Sequence, residues 1–298
     1  MSDSMAGMRR KIKSAGDLKS VVRTMKAMAS SSIGQYERSV IALAEYYSTI
    51  ELGLGLCLRM IGSEPLLEIA TKQKSTRTTG VVVFGSDQGM VGRFNDVIAD
   101  YATARLAALP GKKHIWAVGE RVYNSLTDTG FSPVGLYSVP YAIKGVTPLV
   151  GQLLVDCETS QSQGEIDEIR LFYNRPSAKT VYEPVSQRLL PLDENWRLEM
   201  SEIPWPDGNL PEVVGNSFVT LSALIHEYLF VSLFRACTES LASENASRLA
   251  AMQRADKNID ELLNELKNKY HRMRQSSIDS ELFDVISGAE AMREKSRY

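Results

Sequence analysis

The chain has 298 residues, 44% of them hydrophobic and 23% charged, the composition of a folded protein of about two domains. Its formal net charge of -2 excludes a bulk-charge argument for binding nucleic acid or a membrane surface. The charge is uneven, however: residues 1–40 hold eight Lys/Arg against three Asp/Glu, while 41–243 hold sixteen against twenty-three.

All eleven prolines fall between Pro65 and Pro211, which leaves both ends of the chain free of them. Proline costs roughly 3 kcal/mol inside a helix, so both ends permit long helices, and periodicity decides whether they form. In the first segment, apolar residues fall at Leu18, Val22, Met25, Tyr36, Val40, Leu43, Tyr47, Ile50, Leu54 and Leu58. From Tyr36 to Leu54 the steps alternate four and three, the repeat of a coiled coil. The stripe narrows around Ser30, Ser31 and Ser32. A helix over 9–61 would be roughly 80 Å long.

The middle of the chain alternates strands and helices. Gly80–Phe84 reads as a strand, about 91–109 as a helix, His114–Val118 as a strand and Glu120–Thr127 as a helix. After a stretch broken by Gly and Pro, a helix is predicted at 146–158 and a strand at Glu168–Tyr173. This order predicts a small Rossmann-like α/β domain with a mainly parallel sheet. Residues 181–211 carry five prolines and read as a loose return to the last helix.

The last segment repeats the coiled-coil pattern. Its stripe runs Leu221, Leu224, Tyr228 and Val231, then Met252, Ile259, Leu263, Leu266, Tyr270 and Met273, with Ser277 at the next seam position. No glycine interrupts 216–287, and a helix over 212–290 would be roughly 120 Å long. The alternative, a set of shorter core helices, lacks the helix stops that it needs. The fold class expected is thus α/β: an antiparallel coiled coil of long terminal helices plus the middle domain, divided as 1–64, 65–211 and 212–298. The longer C-terminal helix should run on past its partner by roughly 30–40 Å.

The middle domain offers one candidate site, Gly85 to Asn95, at the end of a strand and the start of a helix. Helix N-termini there attract phosphate. Yet the loop lacks the lysine and hydroxyl of a phosphate-binding G-x-x-x-x-G-K-[ST] motif. The favoured reading is structural: Ser86 and Asp87 cap the following helix, while Gly89, Gly92 and Asn95 shape the turn. A stand-alone nucleotide-binding enzyme is the alternative. His114, His226 and His271 are scattered, with no pair at metal-ligand spacing. No nucleophile and base combination stands out, and neither cofactor nor metal is expected. Cys57, Cys157 and Cys237 show no paired spacing and are expected to stay reduced, which suits a cytoplasmic compartment. No run of about 18 apolar residues is free of charge, so no membrane span is expected, and the first residues lack a signal peptide's apolar stretch.

Three stretches resemble the gamma subunit of F-type ATP synthases. Arg9 to Ser14 and Val22 to Ser31 look like that family's opening helix, and Ser86 to Asn95 is similar to its S-D-R-G-L-C-G-G-L-N loop. In the closing helix Glu239 to Met252, Tyr270 to Ile278 and Glu281 to Ala291 match its E-x-x-A-R-M-x-A-M, Y-N-x-x-R-Q-x-x-I-T and E-L-x-E-I-V-x-G-A-x-A patterns. Val91 replaces the family's cysteine, Arg93 a glycine and His271 an asparagine; the loop looks closer to an alternate bacterial type, some of which are thought to pump sodium.

The resemblance implies a non-catalytic rotor shaft. Its expected partners are three alpha and three beta subunits, the epsilon subunit and the membrane ring of c subunits, at the cytoplasmic face of a bacterial inner membrane. It implies that Arg23, Met25 and Lys26 approach an acidic loop of beta, that Arg248 bridges at a similar level, and that Arg274 and Gln275 form an upper contact. An unrelated coiled-coil scaffold is the other alternative to a rotor.

Overall fold

The computed structural model describes residues 4–61, 78–192, 194–206, 211–213 and 215–295. The expected boundary at 64 and 65 lies outside them. The chain forms two compact units, one of residues up to Met28 with those from Leu249 onward, the other of Ala29–Arg248. Two long helices, α1 (Met5–Ile61) and α6 (Ser217–Lys295), contribute to both.

In the first unit, α1 and α6 pair antiparallel through a heptad seam. Arg9 Nε donates to Tyr270 Oη at 2.8 Å, Lys19 meets Asp260, and Lys26 Nζ lies 3.4 Å from Asp256 Oδ2, so the partner's number falls as the α1 number rises. Val22, Met252 and Ile259 form the buried centre, with Met25, Ala251, Ala255 and Leu263 packed around them. On α6 the seam keeps its predicted positions, through Leu266, Tyr270 and Met273 to Ser277. On α1 one position differs. Leu18 is 52% exposed, and the neighbouring Lys19 takes the seam, its stem half-buried and its ammonium on Asp260. Met8, Ala15 and Val22 are buried at seven-residue steps, and four residues after the first two stand half-buried Ile12 and Lys19.

In the second unit a five-stranded sheet has the order β3-β2-β1-β4-β5, formed by β1 (Thr79–Phe84), β2 (Lys113–Val118), β3 (Gly135–Tyr137), β4 (Glu168–Pro176) and β5 (Tyr182–Leu190). The first four are mutually parallel and β5 is antiparallel to β4. Between strands in sequence lie α2 (Phe94–Ala108), α3 (Glu120–Asp128) and α4 (Val146–Ser162), and α5 (Glu194–Glu202) follows β5. Central β1 is buried on both faces, as its unbroken Val-rich run requires. Val81, Val83, Ile115, Ala117 and Phe172 meet α2 and α3. Val82, Phe84, Val118, Leu171 and Tyr173 face the other way, into a core shared with α1, α4 and α6.

The stretch 181–211, read as a loose return, instead holds β5 and α5. Pro184 is tolerated because β5 is an edge strand, where a missing N–H removes no ladder bond on the open side. The three-residue β3 was likewise not anticipated. Both long helices contain a window apolar enough, by composition, to cross a membrane. In this unit those helices bury Ile50, Leu54 and Leu58, and Tyr228, Leu229, Val231 and Leu233, against the sheet and each other. Cys57, Cys157 and Cys237 are all free and buried.

Candidate functional site

The strand-end loop 85–93 follows β1, which lies between β2 and β4 at the point where the strand order reverses. Its bonds differ from the expected cap. Arg93, not Ser86 or Asp87, occupies the N-cap of α2, with no side-chain hydrogen bond to the helix. Ser86 N donates to Asn95 Oδ1 at 2.9 Å, Asn95 Nδ2 donates to Ser86 Oγ at 2.8 Å, and Ser86 Oγ donates to the Gln88 carbonyl at 3.0 Å. Asp87 caps a different helix. Its Oδ1 accepts from Glu120 N, in the first turn of α3, at 2.9 Å, and its Oδ2 accepts from Val139 N at 2.8 Å. The loop turns at Gly92, whose φ of 60° suits a residue without Cβ, while Met90 adopts φ 62° at a cost in strain. Gly89 is not among the glycines with positive φ.

These bonds occupy donors at the start of α3, whereas α2 has no side-chain cap. The α3 N-terminus is already answered by the Asp87 carboxylate, and Arg121 N donates to the Ser86 carbonyl at 3.0 Å. A phosphate at the α3 N-terminus would meet the Asp87 carboxylate, and like charges repel. The loop's side chains thus fasten the end of β1 to α3 and the Val139 segment, where the expectation for Ser86 and Asp87 was the cap of α2.

One loop bond leads to α6: Ser247 Oγ donates to the Val91 carbonyl at 2.5 Å. Ser247 belongs to a row of buried polar residues, with Thr238, Glu239, Ser240, Ser243, Glu244 and Asn245. Arg235 Nε lies 2.7 Å from Glu239 Oε1, and Arg248 reaches Glu244 Oε1 at 2.6 Å. Burial pushes the Glu244 carboxyl above the ordinary range, against the pull of Arg248. Tyr173 lies beside Glu239, and burial pushes its phenol up to about 12. The sequence signal for this row was present but silent: the apolar stripe stops at Val231 and resumes at Met252.

The other expected contact residues lie on α1 and α6. Arg23 Nε stands 3.9 Å from Asp256 Oδ1 and keeps 65% of its side chain exposed, while Lys26 pairs with the same carboxylate. Asp256, which joins the two cations, was not singled out by sequence. Met25 packs into the seam, whereas Met28 is 66% exposed. Arg274 and Gln275 are exposed, one turn past Tyr270, the partner of Arg9. Arg248 is turned inward to Glu244 and only 12% exposed. Among the described residues no His, Cys, Asp and Glu group could hold a metal ion.

Two heptad-paired helices from opposite ends of the chain, with a parallel-sheet domain between them in sequence, define a coiled-coil subunit with an α/β insertion. The chain belongs to the ATP synthase family, whose family model matches residues 4–292. It is 28% identical to the ATP synthase gamma chain of Clostridium pasteurianum, over 98% of this chain and all of the relative, and 27% identical to that of Desulfosudis oleivorans, over 95% and 97%. Its fold is similar to that of a chain in the Euglena gracilis mitochondrial ATP synthase (OSCP/F1/c-ring, rotational state 3), with a TM-score of 0.64, 16% identity and coverage of 99% and 96%. A chain of the Tetrahymena thermophila mitochondrial ATP synthase central stalk and c-ring matches at 0.55, with 19% identity, over 79% of this chain and 99% of that one.

Proposed function

We propose that the chain is the central rotor shaft of an F-type ATP synthase, a gamma subunit that links ion flow through a membrane ring to the conformational cycle of catalytic beta subunits. The observation that carries this reading is the unequal pairing of α1 and α6, taken with the family membership. Described α1 begins at Met5, one turn before Arg9, whose partner is Tyr270, so α6 runs on to Lys295 for roughly 30 Å without an α1 partner among the described residues. That unpaired stretch exposes Ile278, Leu282, Phe283, Val285 and Ile286. A lone apolar helix end is costly in water and fits an apolar collar, as a ring of alpha and beta subunits would supply.

The chain itself carries out no bond chemistry in this reading and joins the membrane only through its partners: three alpha, three beta, epsilon and the c ring, on the cytoplasmic face of a bacterial inner membrane. Arg23, Lys26, Arg274 and Gln275 are the contacts offered to acidic or polar loops of the ring. Met25 supports the helix that presents them, and exposed Met28 is added beside it. Arg248 serves at that level by holding α6 through Glu244, reaching outward only if that pair opens. The test is co-purification from the native membrane of the full chain carrying an affinity tag. Alpha, beta and epsilon subunits should come with it in a fixed ratio, whereas a stable homodimer without them overturns the reading in favour of an unrelated scaffold.

A further inference from the structure

We infer that the buried polar row from Thr238 to Ser247 on α6 is the joint through which the α/β domain turns the long helix. The inference rests on the rotor reading above. The row is held from several strand ends at once. Val91, in the loop after β1, accepts from Ser247; Tyr173 of β4 lies beside Glu239; and Tyr182, which opens β5, lies beside Ser247. These anchors are tied to one another. Asn174 Nδ2 donates to the Phe94 carbonyl at 3.0 Å, and the Phe94 ring meets the Tyr182 ring edge-on at 5.4 Å between centroids.

The chemistry of the row suits a contact loaded sideways. A torque about the helix axis shears the interface, and apolar surfaces re-form after slipping because their attraction has no preferred direction. Hydrogen bonds from one element to another do not, since a slip of one residue turns a helix by about 100° and carries each group away from its partner. A slip here would break the Ser247–Val91 hydrogen bond and part Glu239 from Tyr173, whereas the Arg235–Glu239 and Arg248–Glu244 pairs, each within α6, would turn with the helix. Packing alone does not account for the row. Glu239 Oε2, Ser240 Oγ, Ser243 Oγ, Glu244 Oε2 and Arg248 Nε have no hydrogen-bond partner among the described residues, so an apolar face would bind the sheet with fewer orphaned groups.

The test uses the complete complex in liposomes, with Ser247→Ala and Glu239→Gln combined in this chain. ATP hydrolysis without an opposing ion gradient should stay within about twofold of the parent, because the ring still turns the helix. The largest gradient that ATP hydrolysis can build, and the rate of ATP synthesis, should fall severalfold, with the loss growing as the gradient rises. Ser247→Thr with Glu239 intact keeps the hydroxyl and should restore both. Equal losses with and without a gradient, or no loss in either, overturn the inference. If the double variant fails to assemble, Ser247→Ala alone decides, by whether its loss depends on the gradient. Absence of the parent chain from the purified complex would instead remove the rotor reading.

Discussion

Glu244 and Arg248 stand one helical turn apart on α6 with charged atoms 2.6 Å from each other, and their side chains are only 6% and 12% exposed. A pair so enclosed is weak as a source of stability and costly to break, since removal of one partner leaves the other charged in the interior. Arg248→Met should lower the unfolding free energy by about 3 kcal/mol, and addition of Glu244→Gln should recover most of that loss. Urea unfolding of the three proteins checks this; additive losses would show that the two residues act separately.

The same pair predicts a pH dependence. Burial raises the folded pKa of Glu244 despite Arg248, so the folded protein holds that proton more tightly than the unfolded chain. Its contribution to stability is therefore fully present below the unfolded carboxylate pKa and is lost as pH rises through the folded one. The unfolding free energy of the parent minus that of Glu244→Gln should fall across that window toward neutral pH. A difference that stays flat rejects the assignment.

Asp87 fastens α3 and the segment at Val139 from a loop far away in sequence. Asp87→Ala removes the acceptor for both N–H groups and should cost about 1–2 kcal/mol, with Asp87→Asn costing less because its carbonyl oxygen still accepts. Hydrogen exchange should quicken at the Glu120 and Val139 amides and stay unchanged in the distal part of α6.

Met25 and Met28 separate a packing role from a surface role. Met25→Ala empties part of the seam beside Val22 and Met252 and should destabilise by roughly 2 kcal/mol. Met28→Ala changes an exposed side chain and should stay within about 0.5 kcal/mol of the parent. Thermal unfolding of the two variants distinguishes them.

Arg274→Leu or Gln275→Leu should leave assembly of the complex intact and impair coupled turnover, since both side chains are exposed and neither belongs to the seam. ATP-driven ion pumping per ATP hydrolysed is the measurement. Normal pumping in both variants would remove these residues from the coupling contact.

The long helices and the central strands were legible because their signals are local. A seven-residue repeat needs no distant partner to be recognised, and the valine run of β1 announces a strand buried on both faces. The seam at Lys19 was misread as Leu18 because a lysine whose stem is buried and whose tip is paired looks polar in a sequence. β5 was hidden by Pro184, whose tolerance depends on lying at a sheet edge, a property of topology. Asp87 reads as the cap of the next helix because sequence displays only neighbours, yet its partners are Glu120 and Val139. The polar row on α6 is the same lesson in reverse. Seven buried polar residues look like a solvated face until the sheet that covers them is known.

The three cysteines have a practical consequence. Each is buried, and burial raises every thiol pKa, that of Cys157 to about 12. A thiol-directed dye reacts with the exposed thiolate form, so the native chain should remain unlabelled under mild conditions. A single cysteine introduced at exposed Asp128, to which no contact is assigned, would then carry the chain's only fluorophore, and its polarisation could be followed turn by turn with no native cysteine replaced.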